Sequence, residues 1–588
     1  MQSLWHEHTA NQFTTPLELR VYSSRLLGQE PALVLHGGGN TSVKTQVNNL
    51  FGEAEEILFV KGSGWDLETI EAAGFAPVKM DVLLSMAKLP ELNDSDMVKY
   101  QRAAMIDPNA PNPSVEAILH AIIPFAFVDH THADAIVTLT NTGSSSGSQG
   151  AANILQLFGK RVLVIPYVMP GFALAKQIYE MTQDIDWATI EGLVLMNHGL
   201  FTFSDDAKTA YENTIKLVTE AEAFIEASLC ITAEAREEAD EKPLEYCDDE
   251  INIDLIELAQ IRKLVSAQKG SAQVALLNSS KGSCHIASHP MLHSIASRGP
   301  LTPDHVIRTK RIPAILNDDF DTELGHYARE YIEYFDRYQS GQTMLNYAPN
   351  FAIWQGKAAI SFGKTVDQAL IIEDITSHTF DAILTAEALG GYQALSPADI
   401  FAVEYWELEQ AKLKKAASVS HKPLQGKIAM VTCAATPVGQ AVVSHMEALG
   451  ANVVELGEHL EFDNLDKCQE AAETAIIDYG GLDIVCCLGD DPSNLMLLRA
   501  CEPFLAHGIN PTVLCVNHGA LPVMNHDSIK VLHLNCSSSQ ILVSADGTKL
   551  LVRKTNGEYP QTGIFNLLSA ITMMLSSEYV PHEEGVTV

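Results

Sequence analysis

Basic residues are scarce in this chain: 38 Lys and Arg stand against 74 Asp and Glu over 588 residues, a formal charge of -36. Such an excess repels a phosphate backbone and an acidic membrane leaflet, so neither nucleic acid nor a membrane is an expected partner. Long apolar runs are missing as well. No stretch approaches the roughly 20 residues a membrane span requires, and the opening MQSLWHEHTANQF has neither the basic nor the apolar segment of a signal peptide. The ten cysteines form no CxxC pair and no metal-ligand spacing, which suits a reducing compartment and reads as core thiols. Cys284 beside His285 suggests a nucleophile, but no third partner is identifiable. A cytoplasmic, soluble protein is expected, and 588 residues are too many for one core, so three or four domains are expected.

What the chain does have is a pattern of histidines. In EAILHAIIPFAFVDHTH (116–132), His130 and His132 alternate across Thr131. On a strand, whose side chains repeat with period two, both imidazoles leave one face and a single metal ion can touch both. His198, after the apolar run LVLM and before Gly199, supplies a third imidazole, and Glu116 lies one helix back as a carboxylate able to ligate or act as a base. The alternative is a pair of ordinary half-buried histidines in a strand. Three glycines (37–39) precede Asn40; such a run lets the backbone take positive φ and turn N–H groups toward an anion, or is a plain turn between strands.

Four blocks in order, GGGNTSVK (37–44), KGSGWDL (61–67), PSVE (113–116) with HTHADAI (130–136), and NHGLFTFSDDAKTAYE (197–212), resemble the class II aldolase/adducin family. The resemblance implies zinc or another divalent metal on His130, His132 and His198, with Glu116 as the catalytic proton-transfer group. It implies a sugar phosphate held by Asn40, Ser63, Gly64 and Ser114, with Gly39 beside them. One position departs: family aldolases often have a second serine directly before the Glu, and here Val115 stands there. The activity implied is cleavage of a ketose, such as rhamnulose 1-phosphate, to dihydroxyacetone phosphate and a short aldehyde such as lactaldehyde. A sugar-phosphate epimerase or decarboxylase would use the same metal, and an adducin-like scaffold would use none. The family's second acid is a tyrosine, which the 16 tyrosines here do not single out. A small-molecule sugar is the expected partner, and a homo-oligomer the expected state.

Residues 1–232 alternate apolar strands (ILFV, IVTLT, VLVIPYV, GLVLMN) with helical patterns, predicting an α/β/α layered domain closed by a helix over 211–229. Residues 233–420 read as an acidic linker or solvated helix end (234–250) and a mixed region ending in the helix FAVEYWELEQAKLKKA (401–416). Within it, RGPLTPDHVIRTKRIP carries Arg308 and Lys310, either anion ligands of the site or a solvated strand edge. The PDHVIRTK and EYW-LEQAKL segments resemble the long bifunctional aldolase/short-chain dehydrogenase members of the family, up to about residue 480.

Residues 421–588 predict a Rossmann-like, doubly wound domain: strand KIAMVTC, a turn, helix VGQAVVSHMEALGA, strand NVVEL. Its cofactor turn is degenerate. Short-chain dehydrogenases carry TGxxxGxG there, whereas this chain reads TCAATPVG, with Cys433 and Pro437 expected to obstruct the geometry that dinucleotide binding requires and only Gly439 retained. CCLG (486–489) replaces their NNAG, no Tyr in this region is followed four residues later by Lys, and the region is expected to be shorter than a full dehydrogenase domain. No NAD(P) and no cofactor-binding residue are therefore expected, and deletion from about residue 425 is expected to leave aldol cleavage largely intact in any variant that remains soluble, while affecting stability or oligomeric state.

Overall fold

The computed structural model describes residues 1–144, 147–238, 252–408, 410, 422–457, 464–489, 491–516, 524–538, 541–543, 549–553, 568–569, 571–572 and 575. The first sheet takes β1 (Asn40–Asn48), β2 (Ala54–Lys61), β3 (Phe75–Lys79) and β4 (Phe127–Thr131). After the short hairpin β5 (Gly143–Ser144) and β6 (Gly147–Ser148) it adds β7 (Val162–Ile165), β8 (Gly192–Leu195) and β9 (Gly199–Ser204). Its order is β3-β2-β1-β4-β9-β8-β7. Every neighbour is antiparallel except β7 and β8.

Apolar helical stripes cover both faces. Helices Pro16–Gly28, Asp134–Thr140, Gly150–Phe158 and Ala207–Glu238 pack on one side through Leu27, Ile136, Ile154 and Leu217. Met80–Ala87, Ala117–Ile122 and Phe172–Met181 pack on the other through Leu83, Ile118, Leu119 and Ile178. The first helix is started by a capping box, Thr15 with Glu18, and by Pro16 in its first turn. The layered α/β architecture is thus the expected one, with one local exchange. IVTLT, expected as a strand, lies in the helix Asp134–Thr140: Ile136 and Leu139 enter the first core while Val137 enters a second, so the run is apolar all round. Period alone does not separate a short run buried on all sides into strand or helix. The closing helix, expected over 211–229, extends over Ala207–Glu238 and so takes in the first residues of the acidic segment, 234–238, while 239–250 lie outside the described residues.

The middle region is a four-stranded sheet in the order β10-β13-β12-β11. Its strands are β10 (Val274–Asn278), β11 (Ala314–Leu316), β12 (Phe351–Trp354) and β13 (Ala359–Gly363), with the long helices Leu255–Lys269, Phe320–Tyr338 and Val366–Ala388 around them. The helix expected over 401–416 is broken: Pro397–Glu404, capped by Ser396, ends before 405–406, and residues 407, 408 and 410 are helical again. The first segment stops where the Tyr405 hydroxyl meets that of Tyr331 at 2.7 Å and the indole N–H of Trp406 donates to Asp94 at 2.9 Å, tertiary contacts that outweigh helical propensity. Residues 411–416 lie outside the described residues.

The third sheet runs β15-β14-β16-β17-β18-β20-β19. Its strands are β14 (Ile428–Val431), β15 (Asn452–Glu455), β16 (Ile484–Leu488), β17 (Thr512–Val516), β18 (Lys530–Ser538), β19 (Ile541–Val543) and β20 (Lys549–Arg553). All its pairings are parallel except β19 with β20. Its first five strands have the doubly wound order 2-1-3-4-5. The turn after β14 accommodates both replaced residues. Cys433 itself takes the left-handed conformation, φ 54°, and Pro437 stands in the first helical turn, where its fixed φ suits the helix and its missing N–H is one the helix leaves unused. Gly439 keeps the helix close to the turn, since a Cβ there would meet the Cys433 carbonyl at 2.0 Å.

This third sheet shares a core with the middle one. Leu258, Ile261, Phe320, Trp354 and Phe362 pack in one cluster with Met430, Ile476, Val485 and Leu497. The middle region docks in turn on the first: Val137 packs with Phe380 and Ile383, and Asn141 donates to the Leu301 carbonyl at 2.9 Å. No helix among the described residues is long and apolar enough to cross a membrane.

Candidate metal centre

Antiparallel pairing sets Asn40 on β1 opposite His130 on β4, and His130 opposite Phe201 on β9. The His130 ring stacks on Phe201 with centroids 4.1 Å apart, and its Nδ1–H donates to the Leu200 carbonyl at 3.1 Å. That bond fixes the tautomer and leaves the Nε2 lone pair for a ligand. His132, just past the end of β4, brings its Nε2 to 3.1 Å from Nε2 of His130, so the His-x-His pair does share one face. His198 comes from the turn between β8 and β9. One nitrogen from each of the three rings can be chosen so that all lie within 4.8 Å of one another.

Backbone geometry makes this convergence possible. Asn197 is left-handed, φ 57°, and its amide is tied to Asn141 at 2.8 Å. Gly199 passes so close to β4 that a Cβ would meet the Thr131 carbonyl at 2.2 Å. Gly39, φ 57°, lies as close to His130, whose carbonyl a Cβ would meet at 2.7 Å. The expectation for Gly199→Ala is a stability loss of about 1–3 kcal/mol, the usual range for overpacking, together with lower metal content. Denaturant unfolding and metal analysis measure the two effects, and a variant indistinguishable from wild type in both would show that β9 has room to move.

Glu116 stands at the start of the helix Ala117–Ile122 and is 5% exposed. Its Oε2 accepts from the Asn40 carboxamide at 2.6 Å and lies 3.5 Å from Nε2 of His130, and its Oε1 lies 3.8 Å from Nε2 of His198. Asn40 is itself held by His120, whose other nitrogen meets Ser42 Oγ at 2.8 Å. Burial pushes His120, His130 and His132 well below the ordinary histidine range, so all three are neutral. Behind the site the buried Arg20 pairs with Asp129 at 2.6 Å, on the opposite face of β4. Glu116 Oε1 and His198 Nδ1 are buried without a hydrogen-bond partner. A buried carboxylate oxygen with no donor, beside imidazole nitrogens, is a setting that a divalent cation satisfies, and the donor set of imidazole nitrogen and carboxylate oxygen is one that Zn²⁺ accepts.

The other expected ligands fall into two groups. At the rim of the site, Ser114 Oγ accepts the Glu116 N–H at 3.2 Å, while the Ser114 N–H donates to the Lys61 carbonyl at 3.0 Å. Ser63 and Gly64 are exposed, and the Ser63 N–H reaches the Asn112 carbonyl at 2.8 Å. Arg308 and Lys310 are not brought to the histidines. Arg308 is exposed on the short helix Val306–Thr309 rather than on a strand edge, and Lys310 is buried over the Tyr331 ring, 3.6 Å from its centroid, donating to the Asn346 carbonyl.

Three further side chains at the site are not singled out by the sequence. Asp304, in the turn Pro303–His305, places Oδ2 3.6 Å from Nε2 of His132 and 3.7 Å from Nε2 of His198. Lys61, pushed down to about 8 by burial, donates to the Gly37 carbonyl at 2.9 Å and anchors the glycine loop. His120 lies four residues after Glu116, one helical turn, and that spacing was the available signal. For Asp304 none exists, because one aspartate among 74 acidic residues does not stand out.

Residues 18–225 match the family model described as Class II Aldolase and Adducin N-terminal domain, and residues 253–413 match Aldolase class II, second domain. A Bacillus subtilis (strain 168) protein named Uncharacterized oxidoreductase YuxG is 29% identical over 525 residues, 82% of this chain and 74% of that protein. The N-terminal class II aldolase domain of a conserved protein from Thermoplasma acidophilum is 43% identical, covering 38% of this chain and 99% of that chain with a TM-score of 0.34. L-fuculose-1-phosphate aldolase from Thermus thermophilus is 16% identical, covering 38% of this chain and 99% of that chain with a TM-score of 0.23. With both of its aldolase modules matched and the histidines of its blocks converging, the chain belongs to the class II aldolase/adducin family.

Proposed function

We propose that the protein is a divalent-metal-dependent aldolase, with Zn²⁺ its metal, that cleaves a ketose 1-phosphate such as rhamnulose 1-phosphate to dihydroxyacetone phosphate and a short aldehyde such as lactaldehyde. The observation that carries this reading is the placement of Glu116: one carboxylate oxygen is held by Asn40 and the other faces His198, beside three converging imidazoles. When bound, the ion would polarise the ketose carbonyl as a Lewis acid and offset the negative charge that cleavage leaves behind.

The chain's own residues supply the rest. In the cleavage direction the C4 hydroxyl gives its proton to a base on the aldehyde side, a C=O bond forms at C4 as the C3–C4 electron pair passes to the ketose fragment, and a proton returns to C3. Glu116 carries that last proton, because its Oε1 is engaged by no donor within the protein. Asn40 fixes the carboxylate's orientation and keeps a second amide hydrogen for an anion. Gly39, Ser63, Gly64 and Ser114 then offer N–H and hydroxyl groups to the phosphate. No dinucleotide is assigned to the third sheet: Pro437 removes one N–H from the helix start at which a pyrophosphate would bind.

A screen of ketose 1-phosphates with the purified full-length chain tests the reading, following triose-phosphate release with and without a chelator. Release from at least one sugar, abolished by chelation, restored by Zn²⁺ and indifferent to NAD or NADP, is expected. Metal-loaded protein that releases no triose phosphate from any of them would point to another reaction of the same site, such as epimerisation.

A further inference from the structure

We propose that Asp304 is a ligand of the same metal ion, supplied to the first module's histidines by the second module. The inference rests on the metal reading above and adds to it a residue from outside the matched N-terminal region. Asp304 sits in the turn Pro303–His305, which the docking of Val366–Ala388 against Asp134–Thr140 carries over the site. Its Oδ2 is 3.6 Å from Nε2 of His132 and 3.7 Å from Nε2 of His198. Two ligand atoms bonded to one ion at about 2.0–2.2 Å, at angles between tetrahedral and trigonal, lie about 3.3–3.8 Å apart. Asp304 therefore stands at ligand-to-ligand spacing from two imidazoles, as Glu116 does from His130 at 3.5 Å and His198 at 3.8 Å.

The two carboxylates occupy different edges of the histidine triangle and share only His198. Two carboxylates bring up to two negative charges to the site, which a divalent ion neutralises. Their surroundings differ: the Glu116 side chain is 5% exposed and that of Asp304 38% exposed. Asp304 thus lies on the solvent side of the site, the position from which an incoming substrate oxygen displaces a ligand. Metal binding would then tie the two modules together across their interface.

The test titrates metal-free, full-length protein with Co²⁺, whose visible absorption reports ligand number and type, for wild type, Asp304→Asn, Asp304→Glu and His198→Ala. Asp304→Asn is expected to bind Co²⁺ about tenfold or more weakly, with shifted bands, and Asp304→Glu to recover most of the affinity. Affinity within twofold of wild type and a superimposable spectrum for Asp304→Asn would overturn the proposal while leaving the metal site standing. Wild-type protein that takes up no Co²⁺, and responds no differently from His198→Ala, would sink the metal reading and this one with it. Should Asp304→Asn lose its fold by circular dichroism, Asp304→Glu carries the test. Its longer side chain must move the bands, and an unchanged spectrum counts against Asp304 as a ligand.

Discussion

Glu116→Gln is expected to lower turnover about 10²- to 10⁴-fold, the usual contribution of a positioned proton-transfer group, while the protein stays folded and keeps its metal. The substitution preserves volume in a buried setting and leaves a carbonyl oxygen to accept from Asn40, so packing around the helix Ala117–Ile122 is not disturbed. Lost are the second oxygen's charge and its capacity to carry a proton next to His198. The three imidazoles remain to hold the ion. The loss should appear in kcat rather than KM, since the carboxylate is assigned no grip on the resting substrate. Steady-state kinetics with metal content measured on the same sample decide it. Activity within a few-fold of wild type at full metal loading would assign the proton transfer elsewhere.

Most of that centre was legible in the sequence, because its residues sit at spacings that local geometry interprets. His130 and His132 need only strand alternation, whereas His198, far off in the sequence, was tied to them by the family blocks. The layered α/β fold of the first region follows from its alternation of strands and amphipathic helices, with IVTLT misread because it is apolar on every side. Contacts between modules were not legible. Asp304 reaches the histidines only because a helix of the middle region docks on Asp134–Thr140, and no local pattern encodes such docking. The basic residues nearby, Arg308 and Lys310, drew attention for their rarity, yet Arg308 is exposed on its short helix and Lys310 is buried over Tyr331. The turn at Cys433 shows the converse. A glycine pattern was broken, but the left-handed backbone it specifies was kept, since the surrounding helix and strand hold a non-glycine residue there at modest cost.

The shared core of the middle and third sheets changes what a truncation at about residue 425 should do. The chain beyond that point covers Leu258, Ile261 and Trp354, and it also supplies the partner of a buried charge. Arg262, fully buried, donates to Asp483 through both terminal nitrogens, at 3.0 and 2.6 Å, and to the carbonyls of Gln273 at 2.6 Å and Gly426 at 3.1 Å. Asp483 in return accepts the N–H groups of Ile428 at 2.9 Å and Ile509 at 2.6 Å. Removing one member of such a pair strands the other charge in a dry interior, which costs about 3–5 kcal/mol. Arg262→Ala is therefore expected to lower the opening free energy by that amount in both sheets at once. Hydrogen exchange reads this directly, through the amides of β12 and β13 on one side and β16 and β17 on the other. Deletion from 425 onward is expected to go further, leaving an insoluble chain, because it exposes the core face of Leu255–Lys269 together with the unpaired guanidinium. Protection lost only in β16 and β17 of Arg262→Ala, with β12 and β13 unchanged, would show that the third sheet opens as an independent unit and that the aldolase modules stand without it.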